Sequence, residues 1–221
     1  MFSPDQSLSD LALTHPPASR VFRQHRLDFC CGGHRSLRDA CEQRGLDVSA
    51  ILEELGREHG RHFARDVRTM PLAELIDYIL LHFHQAHRVE LADLSELARK
   101  VERVHAGKPG VPAGLTSHLE QMANDLEAHM LKEEGVLFPA ILRGARRQLA
   151  MPIEVMTSEH VEHGEALQRM RELAFDFVAP EHACTSWRAL YLRCAELEAE
   201  LMQHVHTENY VLFPRVLAGE L

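Results

Sequence analysis

The stretch HMLKEEGVLFP, residues 129–139, sets His129 and Glu133 one turn apart on an otherwise apolar helical stripe. Residues four apart share one face of a helix. Burying an imidazole and a carboxylate without partners costs several kcal/mol, so the stretch needs a reason to carry both. It also occurs twice. HVHTENYVLFP, residues 204–214, repeats the His-x-x-x-Glu spacing with His204 and Glu208 and ends on the same Val-Leu-Phe-Pro.

Working outward, the apolar positions around both copies advance in steps of about four and three, the period of a helix facing a bundle core. Four long amphipathic segments follow from this pattern, at about 71–105, 113–143, 152–178 and 184–217. They are separated by Gly107 to Gly114, by Gly144 to Pro152 and by Ala179-Pro180. No run alternates apolar and polar residues over a useful length, so strands have no support. The fold class is therefore all-α, a four-helix bundle with short connections.

Each segment places histidine where a core residue belongs. The first seam reads Leu80, His84, His87, Leu91, Leu94 and the third Met156, His160, His163, Leu167, Met170. The second carries His129, Glu133, Val136 and Ala140, with Leu137 beside the seam; the fourth carries Cys194, Leu197, Leu201, His204, Glu208 and Val211. The offset between copies is 75 residues for the His-Glu-Val-Leu-Phe-Pro positions and 76 for His84 and His160, which indicates a duplicated helix pair. Pro139 and Pro214 remove a helical hydrogen bond, so each of these helices is expected to bend or stop just after its glutamate.

Two copies facing each other across one core bring together four histidines and two carboxylates. A nitrogen and oxygen set without thiolate suits iron or manganese better than structural zinc. Glu133 and Glu208 can each span two cations, which points to two metals. Two histidines, two bridging carboxylate oxygens and an oxo or hydroxo bridge give about five ligands per iron and leave roughly one octahedral position vacant. His87 and His163, one turn beyond His84 and His160, are alternative ligands, although supports or proton relays are the preferred roles. His82 and His206 project off the seam, His105 sits near a helix end where the dipole favours it, Glu134 is expected to be a solvated neighbour, and Cys194 a small core residue.

Residues 1–57 read as short helical pieces, LSDLAL, ASRVFRQH, SLRDACEQRG and VSAILEELGRE, broken by Pro16-Pro17, Cys30-Cys31-Gly32-Gly33 and Gly45. They make a small helical domain, with a polar linker at 58–70 and the bundle over 71–221. Adjacent cysteines close a strained ring if they pair, so a stable disulfide at Cys30-Cys31 is not expected. Arg35 and the following helix N-terminus would favour thiolate there.

The remaining composition narrows the class. A net charge of −9 in 221 residues, with lysines and arginines scattered, argues against a nucleic-acid surface. Sixteen histidines are far above ordinary usage and point to metal. Five cysteines, an odd number, and a start without a basic and apolar leader make the cytoplasm the expected location. Charges or histidines interrupt every apolar run, so no membrane span is expected.

The ligand-bearing helices resemble the hemerythrin-like di-iron bundle. With LDFCCGG at 27–33, KVERVHAGKP at 100–109 and the two LFP endings, the whole chain resembles the Repair of Iron Centers family. These are cytoplasmic di-iron proteins associated with restoring iron–sulfur clusters damaged by nitric oxide or peroxide. The resemblance implies His84, His129, His160 and His204 as terminal iron ligands and Glu133 and Glu208 as bridges. It also implies a redox or iron-relay role for Cys30 and Cys31. Damaged iron–sulfur proteins and nitric oxide or another diatomic ligand are the implied partners, and a homodimer is left open. Oxygen-carrying hemerythrins have a further histidine on one iron and a different carboxylate arrangement, which speaks against simple oxygen storage. The rival reading is a hemerythrin-like oxygen or nitric-oxide sensing module.

Overall fold

The computed structural model describes residues 2–57, 66–145 and 148–220. The segment 58–65, most of the expected linker, lies outside the described residues; beyond it, Asp66 accepts from the Arg68 N–H at 3.0 Å and opens a short turn of 3-10 helix, Val67–Thr69. The elements are α1 (Leu8–Thr14), α2 (Ala18–Gln24), α3 (Leu37–Arg44), α4 (Val48–Arg57), α5 (Leu72–Ile79), α6 (Gln85–Val104), α7 (Leu115–Lys132), α8 (Phe138–Leu142), α9 (Ala150–Leu173), α10 (Thr185–Thr207) and α11 (Phe213–Leu217). The described residues contain no β-strand, so the all-α expectation is met. None of their helices is long and apolar enough to cross a membrane.

The chain divides into two compact units, Met1–Leu75 with Met202–Glu220, and Ile76–Leu201. In the first, α1 and α3 begin alike. Ser7 in SLSD and Ser36 in SLRD each accept from the backbone N–H of the aspartate three residues on, both at 3.1 Å. Such a cap satisfies one of the donors that a helix start leaves open. The two starts are laced together by the Leu8 N–H to Arg35 carbonyl bond at 3.0 Å and the Leu37 N–H to Gln6 carbonyl bond at 2.9 Å. Leu8, Leu11, Phe22, Phe29, Leu37, Cys41 and Leu55 form the core beneath them, with Met202 packed against it.

In the second unit, α6, α7, α9 and the first part of α10 bury the seam residues Leu91, Leu94, Ala98, Leu119, Met122, Leu126, Met156, Leu167, Leu190 and Leu197. Cys194 is fully buried, and burial pushes its thiol up to about 12, as suits a small core residue. Outside the core, Arg193 holds Glu90 through two bonds of 2.8 and 2.9 Å, and Arg171 donates to Glu198 at 2.8 Å.

Three of the long segments contain one wider π-turn, at Leu80–His84, Glu133–Leu137 and Glu208–Leu212. In the last two, the N–H of Phe138 or Phe213 reaches back five residues to the carbonyl of Glu133 or Glu208. Proline at the next position has no N–H to give and its ring crowds the carbonyl four residues before it. One extra residue in the turn relieves both. The helix thus widens before Pro139 and resumes as α8, which ends three residues later at Leu142. The seam drawn from periodicity is corrected at Val136, which is 61 % exposed while Leu137, at 2 %, is buried with Phe138 and Ile141; the matching Val211 is buried as drawn.

Candidate metal centre

The π-turns coincide with the expected ligands. Glu133 and Glu208 begin one each, and His84 ends the third. Single π-turns inside α-helices recur at functional sites because the wider turn re-aims one side chain.

In the second unit, His84, His129, Glu133 and His160 are all buried. The Glu133 carboxylate sits between imidazoles. Its Oε2 lies 3.4 Å from His84 Nε2 on one side and 3.5 Å from His129 Nε2 on the other. His160 Nε2 comes within 3.2 Å of His129 Nε2. The donor atoms of His129, Glu133 and His160 all lie within 4.8 Å of one another.

The far side of each ring is equally specific. His84 Nδ1 is 2.7 Å from Glu134 Oε1, and His129 Nδ1 is 2.8 Å from Glu159 Oε2. A carboxylate only accepts, so each Nδ1 carries a proton, which leaves Nε2 as the nitrogen each ring has to offer a metal. This carboxylate–imidazole pairing fixes the tautomer and raises ligand basicity wherever histidine holds a metal. Both glutamates are themselves held. Arg88 bonds Glu134 at 2.9 Å and Glu127 at 2.6 Å, and Lys132 bonds Glu159. Burial opposes ionisation of Glu134 and Glu159, but the hydrogen bonds Glu134 accepts from Arg88 and His84, and Glu159 from Lys132 and His129, outweigh it and keep both carboxyls below their usual range.

Glu134 is thus not the solvated neighbour its position suggested; it orients His84. Glu159, which precedes His160, was missed altogether. The available signal was the doubled acid and imidazole in Glu133-Glu134 and Glu159-His160, but linear spacing does not say which ring a second carboxylate reaches. His163 and His87 stand beside the ligands: the His163 ring meets His129 edge-on at 4.9 Å, and His87 stacks on Phe83 at 6.1 Å. His82 is exposed, as expected. His105 Nδ1 donates to the Val101 carbonyl at 2.9 Å, and the ring packs against Trp187.

In the first unit, His204 and Glu208 are buried with His204 Nε2 3.2 Å from Glu208 Oε1. The same unit holds the thiol pair. Cys30 and Cys31 form no disulfide, and their sulfurs are 3.7 Å apart. Asp28 shapes the loop by accepting from the Cys31 and Gly32 N–H groups, both at 2.9 Å. A Cβ on Gly33 would stand 2.2 Å from the Phe29 carbonyl oxygen, so only glycine fits there.

The expected thiolate bias is not what this loop provides for Cys30. Arg35 is spent on the Gly32 carbonyl and on Gln43. The Cys31 thiol, burial and Asp28 push the Cys30 thiol well above its ordinary range. Cys30 is therefore the inner, protonated member and Cys31 the half-buried outer one.

The donor set fits iron: imidazole nitrogens, carboxylates able to bridge, and no thiolate among them. Against known families, residues 75–216 match the hemerythrin HHE cation binding domain and residues 4–59 match a domain of unknown function, DUF542. The chain is 46 % identical over 216 residues, 98 % of each chain, to proteins named iron-sulfur cluster repair protein YtfE in Escherichia coli O1:K1 and in Escherichia fergusonii.

Proposed function

From the hemerythrin HHE cation-binding family of iron–sulfur cluster repair proteins, to which the chain belongs, we propose the activity and the site together. The protein supports repair of iron–sulfur clusters, and damaged iron–sulfur proteins are its partners. Its metal centre is a di-iron site of six residues: His84, His129, His160 and His204 as terminal ligands, with Glu133 and Glu208 as bridges. The repeated sequence and a single family match spanning 75–216 support placing all six in one centre. The observation that carries this reading is the Glu133 carboxylate flanked by imidazole nitrogens at 3.4 and 3.5 Å, each ring held at Nδ1 by a carboxylate behind it.

Two irons held by these residues would supply Lewis acidity and electrons toward nitric oxide or another diatomic ligand. The chain's own part is to hold the donor atoms in place before metal arrives. Glu134 and Glu159 hold the Nδ1 side of His84 and His129, leaving Nε2 of each ring for metal. Phe138, itself buried, stacks on His84 at 5.8 Å and covers that ring. Cys30 and Cys31 act as the redox or iron-relay thiols of the small domain, which we take as residues 1–57, with the bundle over 71–221.

The test is repair itself. Iron-loaded protein incubated with a nitrosylated iron–sulfur enzyme should restore that enzyme's activity, and metal-free protein should not. Equal recovery with metal-free protein would overturn the reading.

A further inference from the structure

The two halves of the duplication differ where they face outward. After Glu133 come Glu134 and Gly135; after Glu208, at the matching positions, come Asn209 and Tyr210. Two residues before the glutamate the first copy has Leu131, 55 % exposed, and the second has His206, 1 % exposed. The three changed residues of the second copy bind three consecutive carbonyls of the thiol loop. His206 Nδ1 donates to the Phe29 carbonyl at 3.1 Å, Asn209 Nδ2 to that of Cys30 at 2.9 Å, and the Tyr210 hydroxyl to that of Cys31 at 3.3 Å. Phe29 also sets its ring edge against His206 at 5.3 Å. A loop needs one or two anchors to be held, and this one is gripped carbonyl by carbonyl from a single helical turn.

We infer that Asn209 and Tyr210 are positioning residues that clamp the Cys30–Cys31 loop to the π-turn beginning at Glu208, so that access to Cys31 depends on whether that turn is anchored by metal. The inference rests on Glu208 being a metal ligand. The coupling is mechanical and local. Asn209 and Tyr210 are the first and second residues after Glu208 in the wider turn, where one backbone bond reaches from the Phe213 N–H to the Glu208 carbonyl. Metal on His204 and Glu208 removes freedom from that turn and so from both donors. Without it the turn, still widened by Pro214, loses its side-chain anchor, the donors move off their carbonyls, and the loop opens at its half-buried thiol. Linkage then works in both directions: whatever engages Cys31 also weakens the hold on Glu208.

Iodoacetamide labelling read cysteine by cysteine in a mass spectrometer tests this without any repair assay. In the unaltered protein, Cys31 should label several-fold more slowly when iron-loaded than when metal-free. The Asn209→Ala, Tyr210→Phe double variant should label Cys31 at least about tenfold faster than the iron-loaded parent, which is what losing two ordinary hydrogen bonds gives. Its loaded and metal-free rates should converge. Cys41 and Cys194, both fully buried, report whether either unit has unfolded. Tyr210→Phe alone, which removes only a hydroxyl, should show an intermediate rate. Parental labelling of Cys31 in the double variant would overturn the inference, as would no effect of iron in the parent, or Cys41 becoming reactive together with Cys31. A protein that shows the metal-dependent labelling but repairs clusters after loss of both thiols keeps the clamp and loses the relay role.

Discussion

Glu133 has imidazoles on two sides, an arrangement that a bound cation makes favourable. Glu133→Leu should therefore lose both irons together, and loss of one alone, measured by elemental analysis, would mean terminal ligation. Glu134 and Glu159 act one bond further out. Replacing either by alanine frees the ring behind it to rotate or to change tautomer, and metal affinity should fall by about 10- to 100-fold. Competition with a calibrated chelator measures this. Cys30→Ser with Cys31→Ser should leave iron content and helicity unchanged while repair declines, because serine keeps the size but supplies no soft donor or thiolate near neutral pH. The identity of the six proposed ligands was readable as residues out of place on apolar seams. The supporting carboxylates were not, because Glu134 and Glu159 occupy positions where a charged residue needs no explanation.

Among the elements, the two π-turns that follow the glutamates are alike, but their surroundings are not. Val136 and Leu137 are chemically alike and adjacent, yet only Leu137 is buried, whereas Val211 and Leu212 of the second copy both are. Val136→Asp should change stability by no more than about 0.5 kcal/mol, as for other exposed positions. Leu137→Asp should cost at least about 3 kcal/mol by burying a carboxylate among apolar groups. Urea unfolding of the two variants distinguishes them, and a larger loss for Val136→Asp would show that the helix continues without the extra residue. Helix starts, by contrast, were visible beforehand. Ser7 and Ser36 with aspartate three residues on are capping signals that act within one turn, so the sequence around them is sufficient.

For the whole molecule, iron should be found at two per chain after iron-replete expression; one metal, or zinc in preference, would falsify the di-iron assignment. Removing the metal should lower the unfolding midpoint, since a ligand present at 100 times its dissociation constant stabilises by about 2.7 kcal/mol. Calorimetry before and after chelation measures the difference. By itself the sequence determined the all-α class, the number of long segments, the duplicated His-x-x-x-Glu and the absence of apolar spans, because each is set by local periodicity and by residue types that stand out against it. Only the tertiary structure decided that Val136 faces out, that Glu134 and Glu159 hold the Nδ1 side of His84 and His129, that Cys30 is the protonated inner thiol, and that His206, Asn209 and Tyr210 hold residues 29–31. Those facts depend on which groups meet across about 30 to 180 residues of chain, and periodicity carries no information about such meetings: a hydrogen bond between distant segments is specified by packing, after the helices have formed.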